Sequence, residues 1–325
     1  MTAPDLVTDP RREAFERVDG RYDVRVLEPS PPAVNEPAYF ADDPVAPGTR
    51  TGRTLVSPVT NGDLTWDDLA RGDPELAAWC AERWLGAWPR LQPLGDRDTL
   101  ARTRLGWHIL AEHVLAPARH AANGRIGLRF TRGGFGTPFF GSDEQARVSG
   151  RDLVVVRNDA ATKVPITTPR AAAAAVGGGL GAPANVYEPA TPLEADSPLD
   201  IDHHAARVLG AWYGFGSSVL EELRARAADA DPSRVQLWPE HFDLSFDLGD
   251  EARATRGTFG ASPGDEAHPD PYLYVTHRSD VGADPYWNDD AFGGASLSYE
   301  MLVAAEAPRE LALDFFRRGR RALGA

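Results

Sequence analysis

The chain has 325 residues, 42% hydrophobic and 25% charged, proportions of an ordinary globular protein that exclude disordered, fibrous and collagenous classes. That length holds one large or two ordinary domains, with a core that needs no metal or disulfide staples. Lys and Arg number 34 against 48 Asp and Glu, a net charge of −14, and Lys163 is the only lysine, which argues against a nucleic-acid partner.

The start of the chain lacks a basic segment followed by an apolar one, and no apolar run approaches the ~20 residues that cross a bilayer, so no membrane partner is expected. Cys80 is the only cysteine, which precludes an intramolecular disulfide or a thiolate zinc site and fits a cytoplasmic protein.

In chain order, Asp9 and Pro10 open a short helix, and a proline-rich stretch from Pro29 to Pro58 is expected to wrap the surface as an extended arm. Asp73-Pro74 opens the next helix, whose Trp79, Trp84 and Trp88 fall at helical spacing, with Cys80 among them as a buried, inert thiol. Leu100, Leu105, Ile109, Leu110 and Val114 predict an amphipathic helix over 98–119 that breaks or bends at Pro117. A strand block follows over 126–131, 145–148 and 153–156, an antiparallel meander with Gly150 in a turn.

Thr168-Pro169 caps an alanine-rich helix that stops at Gly177-Gly178-Gly179. After a second proline-rich linker, a long helix begins near Asp200 or Asp202, with the apolar stripe Ala205, Val208, Leu209, Trp212, Phe215, Val219, Leu220 and Leu223. Strand-like segments occupy 235–248 and 272–276, and a helix runs from Pro308 to Leu323. Its Arg317, Arg318, Arg320 and Arg321 read as a solvated helix end favoured by the macrodipole. Runs of helix separated by runs of strand predict an α+β fold, a mainly antiparallel sheet packed by long amphipathic helices. The expected division is an N-terminal arm and helical extension over 1–95 and an α+β core domain over 96–325.

Three familiar signatures match by letter and fail by context. Gly260-Ala261-Ser262-Pro263-Gly264 fits a nucleophile elbow, but prolines follow where a helix is required. Gly177–Ala182 follows a helix rather than a strand, and Gly133–Gly136 lacks the Lys-Ser/Thr of a phosphate loop, so no nucleotide motif is present. Arg104, His108 and Glu112 lie one helical turn apart and read as a solvated or salt-bridged face. His203 and His204 diverge by about 100° and cannot serve one centre.

The most informative segment is Trp238-Pro239-Glu240-His241-Phe242-Asp243-Leu244-Ser245-Phe246-Asp247-Leu248. From His241 on, a two-residue period puts Phe242, Leu244, Phe246 and Leu248 on one face and His241, Asp243, Ser245 and Asp247 on the other. Downstream, a Pro-Gly turn precedes His268, Tyr272 and Tyr274, the tyrosines sharing a face. If the two strands pair, His241, Asp243 and His268 form a catalytic constellation: His241 as general base, Asp243 orienting it and His268 as acid. The same His241 and His268 are the candidate ligands of a divalent metal, the one cofactor considered. Trp238, Glu240, Ser262, Asp265 and Tyr272 are the expected ligand-binding residues, with Trp287 nearby and the Gly133–Gly141 loop as a rim.

These residues resemble a bacterial family without an assigned activity, marked by W-P-E-H-F-D (Trp238 to Asp243), A-S-P-G-D-E-A-H-P-x-P-Y-L-Y-V (Ala261 to Val275) and D-P-Y-W-N (Asp284 to Asn288), with Gly133 to Gly141 in the same signature. The likeness spans roughly residues 100–320. A broader domain of unknown function is more distantly similar, with counterparts of Phe242-Asp243 but not of His241. The expected function is binding of a small polar ligand or substrate in an aromatic-walled cleft. The alternatives are a metal-dependent hydrolase or lyase, and a protein-interaction module using the arm 29–58 and the Trp79–Trp88 helix.

Overall fold

Asp96 starts the first helix of the core, its carboxylate accepting the Thr99 amide at 2.8 Å in the manner of an N-cap. The computed structural model describes residues 91–324 apart from 132, 139–143 and 158–159, together with a parallel pairing of Tyr22–Asp23 with Arg53–Thr54. The first helix candidate, most of the proline-rich arm, Cys80 and the Trp79–Trp88 helix lie outside the described residues.

Helix α1 (Arg97–Leu110) passes through a π turn, Ala111–Leu115, into α2 (Ala116–Asn123). The interruption expected at Pro117 is therefore a widened turn just before it. Pro117 has no N–H to give the His113 carbonyl, and the Gly181 amide donates to that carbonyl instead, at 3.0 Å.

Two five-stranded antiparallel meanders follow. The first runs in the order β1 (Arg129–Thr131), β2 (Gly134–Gly136), β3 (Gln145–Ser149), β4 (Asp152–Arg157) and β5 (Ala160–Pro165). Strands β2 and β5 were not expected from the sequence. The Gly134–Gly136 part of the Gly133–Gly141 loop is no rim: it forms the buried strand β2, and Phe135 packs against Trp107, Tyr213 and Phe242. The rest of that signature, residues 139–141, lies outside the described residues.

Helix α3 (Pro169–Val176) has Thr168 as N-cap and ends at Gly177, whose φ of 74° makes it a left-handed helix stop. The second meander contains β6 (Gln236–Trp238), β7 (Asp243–Leu248), β8 (Gly257–Ser262), β9 (Tyr272–His277) and β10 (Ala295–Ser298). Leu128 and Leu237 exchange two backbone hydrogen bonds of 2.9 Å, which link the sheets edge to edge. Two antiparallel sheets with flanking helices make this an α+β fold.

Helix α4 (His203–Arg226), capped by Asp202, packs on strands of both sheets, and its whole apolar stripe is buried. Close approach needs glycine at two of its positions: a Cβ on Gly210 would stand 2.9 Å from the Gly133 carbonyl oxygen, and one on Gly216 2.7 Å from the Ala261 side chain. Short α5 (Tyr299–Ala304) and α6 (Pro308–Leu323) close the far side. The arginines of α6 are held at its surface, Arg317 by Asp314, Arg320 by Asp229, and Arg318 over the Tyr286 ring. Among the described residues no helix is long and apolar enough to cross a membrane.

Gly210→Ala tests the helix–sheet contact. Alanine's better helix propensity favours the variant by about 1 kcal/mol, while overpacking against backbone costs about 1–3 kcal/mol. Denaturant unfolding is expected to show a net loss, and a stabilised variant would mean the helix is not in close contact with the Gly133 backbone that leads into β2.

Candidate functional site

The second sheet has two unlike faces. Leu237, Leu244, Phe246, Leu248, Phe259, Ala261, Leu273 and Val275 enter the core beneath the helices. Asp243, Ser245 and Asp247 of β7, Thr258 and Ser262 of β8, and Tyr272, Tyr274 and Thr276 of β9 face the other way and floor a groove of about 1220 Å³. Arg104 and His108 of α1, the loop at Ala190–Thr191 and the 264–268 loop wall it.

The alternation expected from His241 begins two residues later. Residues 239–242 form a turn between β6 and β7, with Trp238 opposite Asp243 and the Phe242 amide donating to the Trp238 carbonyl at 2.7 Å. Phe242 has a φ of 56°, a left-handed conformation that costs a residue with a Cβ roughly 1–2 kcal/mol. Its ring is 1% exposed, stacked on His108 at 4.9 Å, and Tyr213 donates to its carbonyl at 2.7 Å, contacts that offset the strain. His241, at the tip of this turn, is exposed.

Asp243 is 6% exposed. Its Oδ2 accepts from the Tyr274 hydroxyl, and its Oδ1 has no hydrogen-bond partner. The register explains the bond: Tyr274 lies opposite Gly260, which lies opposite Ser245. A Cβ on Gly260 would fall 2.3 Å from the Tyr274 ring, so glycine there lets the phenol cross the sheet to Asp243. Burial pushes the Asp243 carboxyl up, against the opposing pull of the His241 charge and the Tyr274 bond. Burial likewise raises Glu240, whose Oε2 also lacks a partner, and keeps the phenols of Tyr272 and Tyr274 neutral.

Several other polar groups in the groove have partners, although the buried His268 Nδ1 has no hydrogen-bond partner. Asp265 accepts from the Ala267 and His268 amides at 2.8 Å each and from the Tyr272 hydroxyl at 2.6 Å. The Ser262 hydroxyl accepts the Gly264 amide at 3.1 Å. His268 Nε2 meets buried Asp289 at 2.9 Å, and its ring lies 4.6 Å from that of Tyr272. At the far end Asp247 takes Thr258 at 2.7 Å and Arg278 at 2.6 Å, with Arg256 at 3.7 Å.

Trp238, Glu240, His241, Asp243, Ser262, Asp265, His268 and Tyr272 thus all line one groove. The roles expected of three of them change. No hydrogen bond joins His241 to Asp243, because the carboxyl is turned to Tyr274 and His241 is on the exposed turn, so Asp243 does not orient that imidazole. His268 is engaged by Asp289, and among the described residues no three His, Cys, Asp or Glu side chains are grouped to hold a metal ion. The pair His241 and His268 therefore gains no third ligand. Trp287 lies off the groove against His277 and Tyr286.

The Arg104–His108–Glu112 stripe is not a solvated face. Glu112 is 0% exposed and accepts the Ala190 and Thr191 amides at 2.6 and 2.9 Å, fixing that wall. Arg104 donates to the Pro269 and Pro263 carbonyls at 2.8 and 3.3 Å. His108 Nε2 lies 2.9 Å from the Pro239 carbonyl, which can only accept, so the ring nitrogen carries the proton. Tyr274, Arg104, His108 and Phe292 are among the groove residues not assigned to the site from the sequence. For Tyr274 a signal existed, since its period-two partner Tyr272 was assigned. Neither a protein family, nor a curated protein, nor a solved structure matches the chain.

Burial lowers His108 from 6.5 to about 4. A histidine depressed in the folded state binds its proton more readily when unfolded, so its contribution is complete above pH 6.5 and is lost as pH falls toward 4. That loss is on the order of 3 kcal/mol. Urea unfolding at pH 7 and pH 4.5 is expected to show a shallower acid loss in His108→Gln than in the parent; identical slopes would place the titration elsewhere.

Proposed function

We propose that the chain binds a small polar organic molecule in the groove over β6–β9, with Asp243 as the anchoring group. The observation that carries this reading is the Asp243 carboxyl, nearly buried, held by Tyr274 through one oxygen and presenting the other, without a partner, among the groove-lining side chains. An unpaired buried acceptor costs about 1–3 kcal/mol, which a ligand donor recovers on binding. Aromatic rings beside a few convergent polar groups are the usual make-up of a small-molecule pocket. Trp238, Tyr272 and Phe292 supply the rings; Glu240, Ser262 and Asp265 supply the flanking polar atoms.

One observation favours an acid–base version of the same site: burial raises Asp243 beside a neutral phenol, a pairing suited to proton transfer. In that version the ligand is a substrate and Asp243, not His241, handles the proton. The acidic balance and single cysteine accord with a cytoplasmic protein that has no nucleic-acid partner. The interaction-module alternative rests on segments outside the described residues.

A metabolite panel read by thermal shift and by intrinsic tryptophan fluorescence tests the binding role. A ligand at about 100 times its Kd adds ~2.7 kcal/mol and raises Tm by several degrees. Asp243→Asn, which retains an acceptor for Tyr274, is expected to weaken that ligand about 10–100-fold. A ligand whose affinity is equal in parent and variant would remove Asp243 from the site.

A further inference from the structure

The groove's carboxyls fall into two groups. Asp247, Asp265 and Glu251 have charged, hydroxyl or amide partners, as do Asp289 and Glu112 behind the lining, and Glu266 is exposed to solvent. Asp243 Oδ1 and Glu240 Oε2 are buried and partnerless; Glu240 is in the 239–242 turn and Asp243 directly follows it. Both atoms lack the same thing, an N–H or O–H donor. The arginines of the groove are already engaged: Arg256 donates to the Gly249 carbonyl at 2.9 Å, Arg278 pairs with Asp247, and Arg104 donates to the Pro263 and Pro269 carbonyls, while His241, exposed on the turn, acts on both carboxyls by charge alone.

Beside Asp243 lies a ring cluster. Tyr274, bonded to that carboxyl, has its centroid 6.0 Å from Tyr272 and 6.1 Å from Phe292, and the last two are stacked at 6.2 Å. Aromatic faces next to carboxyl oxygens attract cations through the ring quadrupole.

Resting on the reading of the groove as a ligand site, we infer that the ligand is an organic cation with several N–H donors, a guanidinium or primary ammonium compound, whose donors are shared by Asp243 and Glu240 beside the rings of Tyr272, Tyr274 and Phe292. An anion placed against those two oxygens meets acceptor atoms. A neutral polyol supplies donors but leaves carboxyl charge unbalanced. A cation satisfies both the hydrogen bonds and the charge, and a charge-assisted bond is roughly twice as strong as a neutral one.

Calorimetric titration of the full chain with agmatine and 1,4-diaminobutane, against 1,4-butanediol, xylitol and succinate, tests the class. At least one of the two cations is expected to bind 10-fold or more tightly than any neutral or anionic compound, with affinity falling as salt rises. Asp243→Asn and Glu240→Gln are each expected to weaken it 10-fold or more. The second variant is on the turn rather than in a strand and serves if the first fails to fold, which far-UV dichroism reports.

Binding of butanediol, xylitol or succinate that is lost in Asp243→Asn, with both cations silent, overturns the cation class and leaves the groove reading intact. Cation binding unchanged in both variants overturns the class at this site. Silence of all five compounds overturns it as well, and if the metabolite panel is also silent the groove reading falls with it.

Discussion

The left-handed turn at Phe242 is the constraint on which the site depends. A β-hairpin loop of four residues must reverse the chain so that Asp243 stands opposite Trp238, and here the reversal is completed by a phenylalanine where glycine or asparagine would be unstrained. The conformation persists because the ring is locked by His108, Phe135 and Tyr213 and the carbonyl by the Tyr213 hydroxyl. Those partners come from α1, β2 and α4, so the turn reports on the assembly of most of the core. Loosening any of them would free the chain at the point that aims Asp243 and Glu240 into the groove.

The same three elements explain why one helix serves two sheets. Helix α4 approaches β2 through Gly210 and β8 through Gly216, while the sheets share one edge bridge at Leu128 and Leu237. With its inner face filled by the helices, the second sheet turns its other face outward, and the meander order places β7, β8 and β9 side by side. Alternation along each strand then brings an aspartate, a serine and two tyrosines from separate segments to one floor. Gly260 opens the passage that joins two of them.

Much of this was legible in the sequence, because caps and periods leave local marks. Thr168, Gly177 and Asp202 bound their helices as their chemistry requires, α6 runs over its expected residues, and the polar face of Asp243, Ser245 and Asp247 follows from period two. The turn at 239–242 was hidden, since Glu-His-Phe carries no signal for positive φ and reads as continued strand. The solvated half of the reading of the Arg104–His108–Glu112 stripe failed, while the salt-bridged half has the His108 and Glu112 side chains 3.6 Å apart; a polar helical stripe looks the same whether water or a folded loop covers it. Here residues 190–191 cover it, and they are 78 and 79 positions away from Glu112. Strand β2 escaped notice because its glycines serve close packing against β3, where a Cβ on Gly136 would meet Arg147 at 2.4 Å.

Within β7 the two aspartates treat their charge in opposite ways. Asp243 and Asp247 lie four residues apart on one face, about 13 Å by the rise of a strand. Asp247 has Arg278 and Arg256 beside it and a threonine hydroxyl on its other oxygen. Asp243, the more buried of the two, has a phenol and no arginine bonded to it among the described residues, only the non-bonded pull of the His241 charge. Desolvation is severest where the compensation is least, so this carboxyl lowers the stability of the free protein relative to an apolar residue of similar size. Arginine is plentiful in the chain and stands near Asp247 on the same strand, so the lack is one of placement and not of composition. The site at which Tyr274 crosses Gly260 is filled by a neutral donor that fixes one carboxyl oxygen and leaves the other to the groove. That bond fixes one carboxyl oxygen through a neutral phenol, the kind of preorganisation the proposed ligand role calls for.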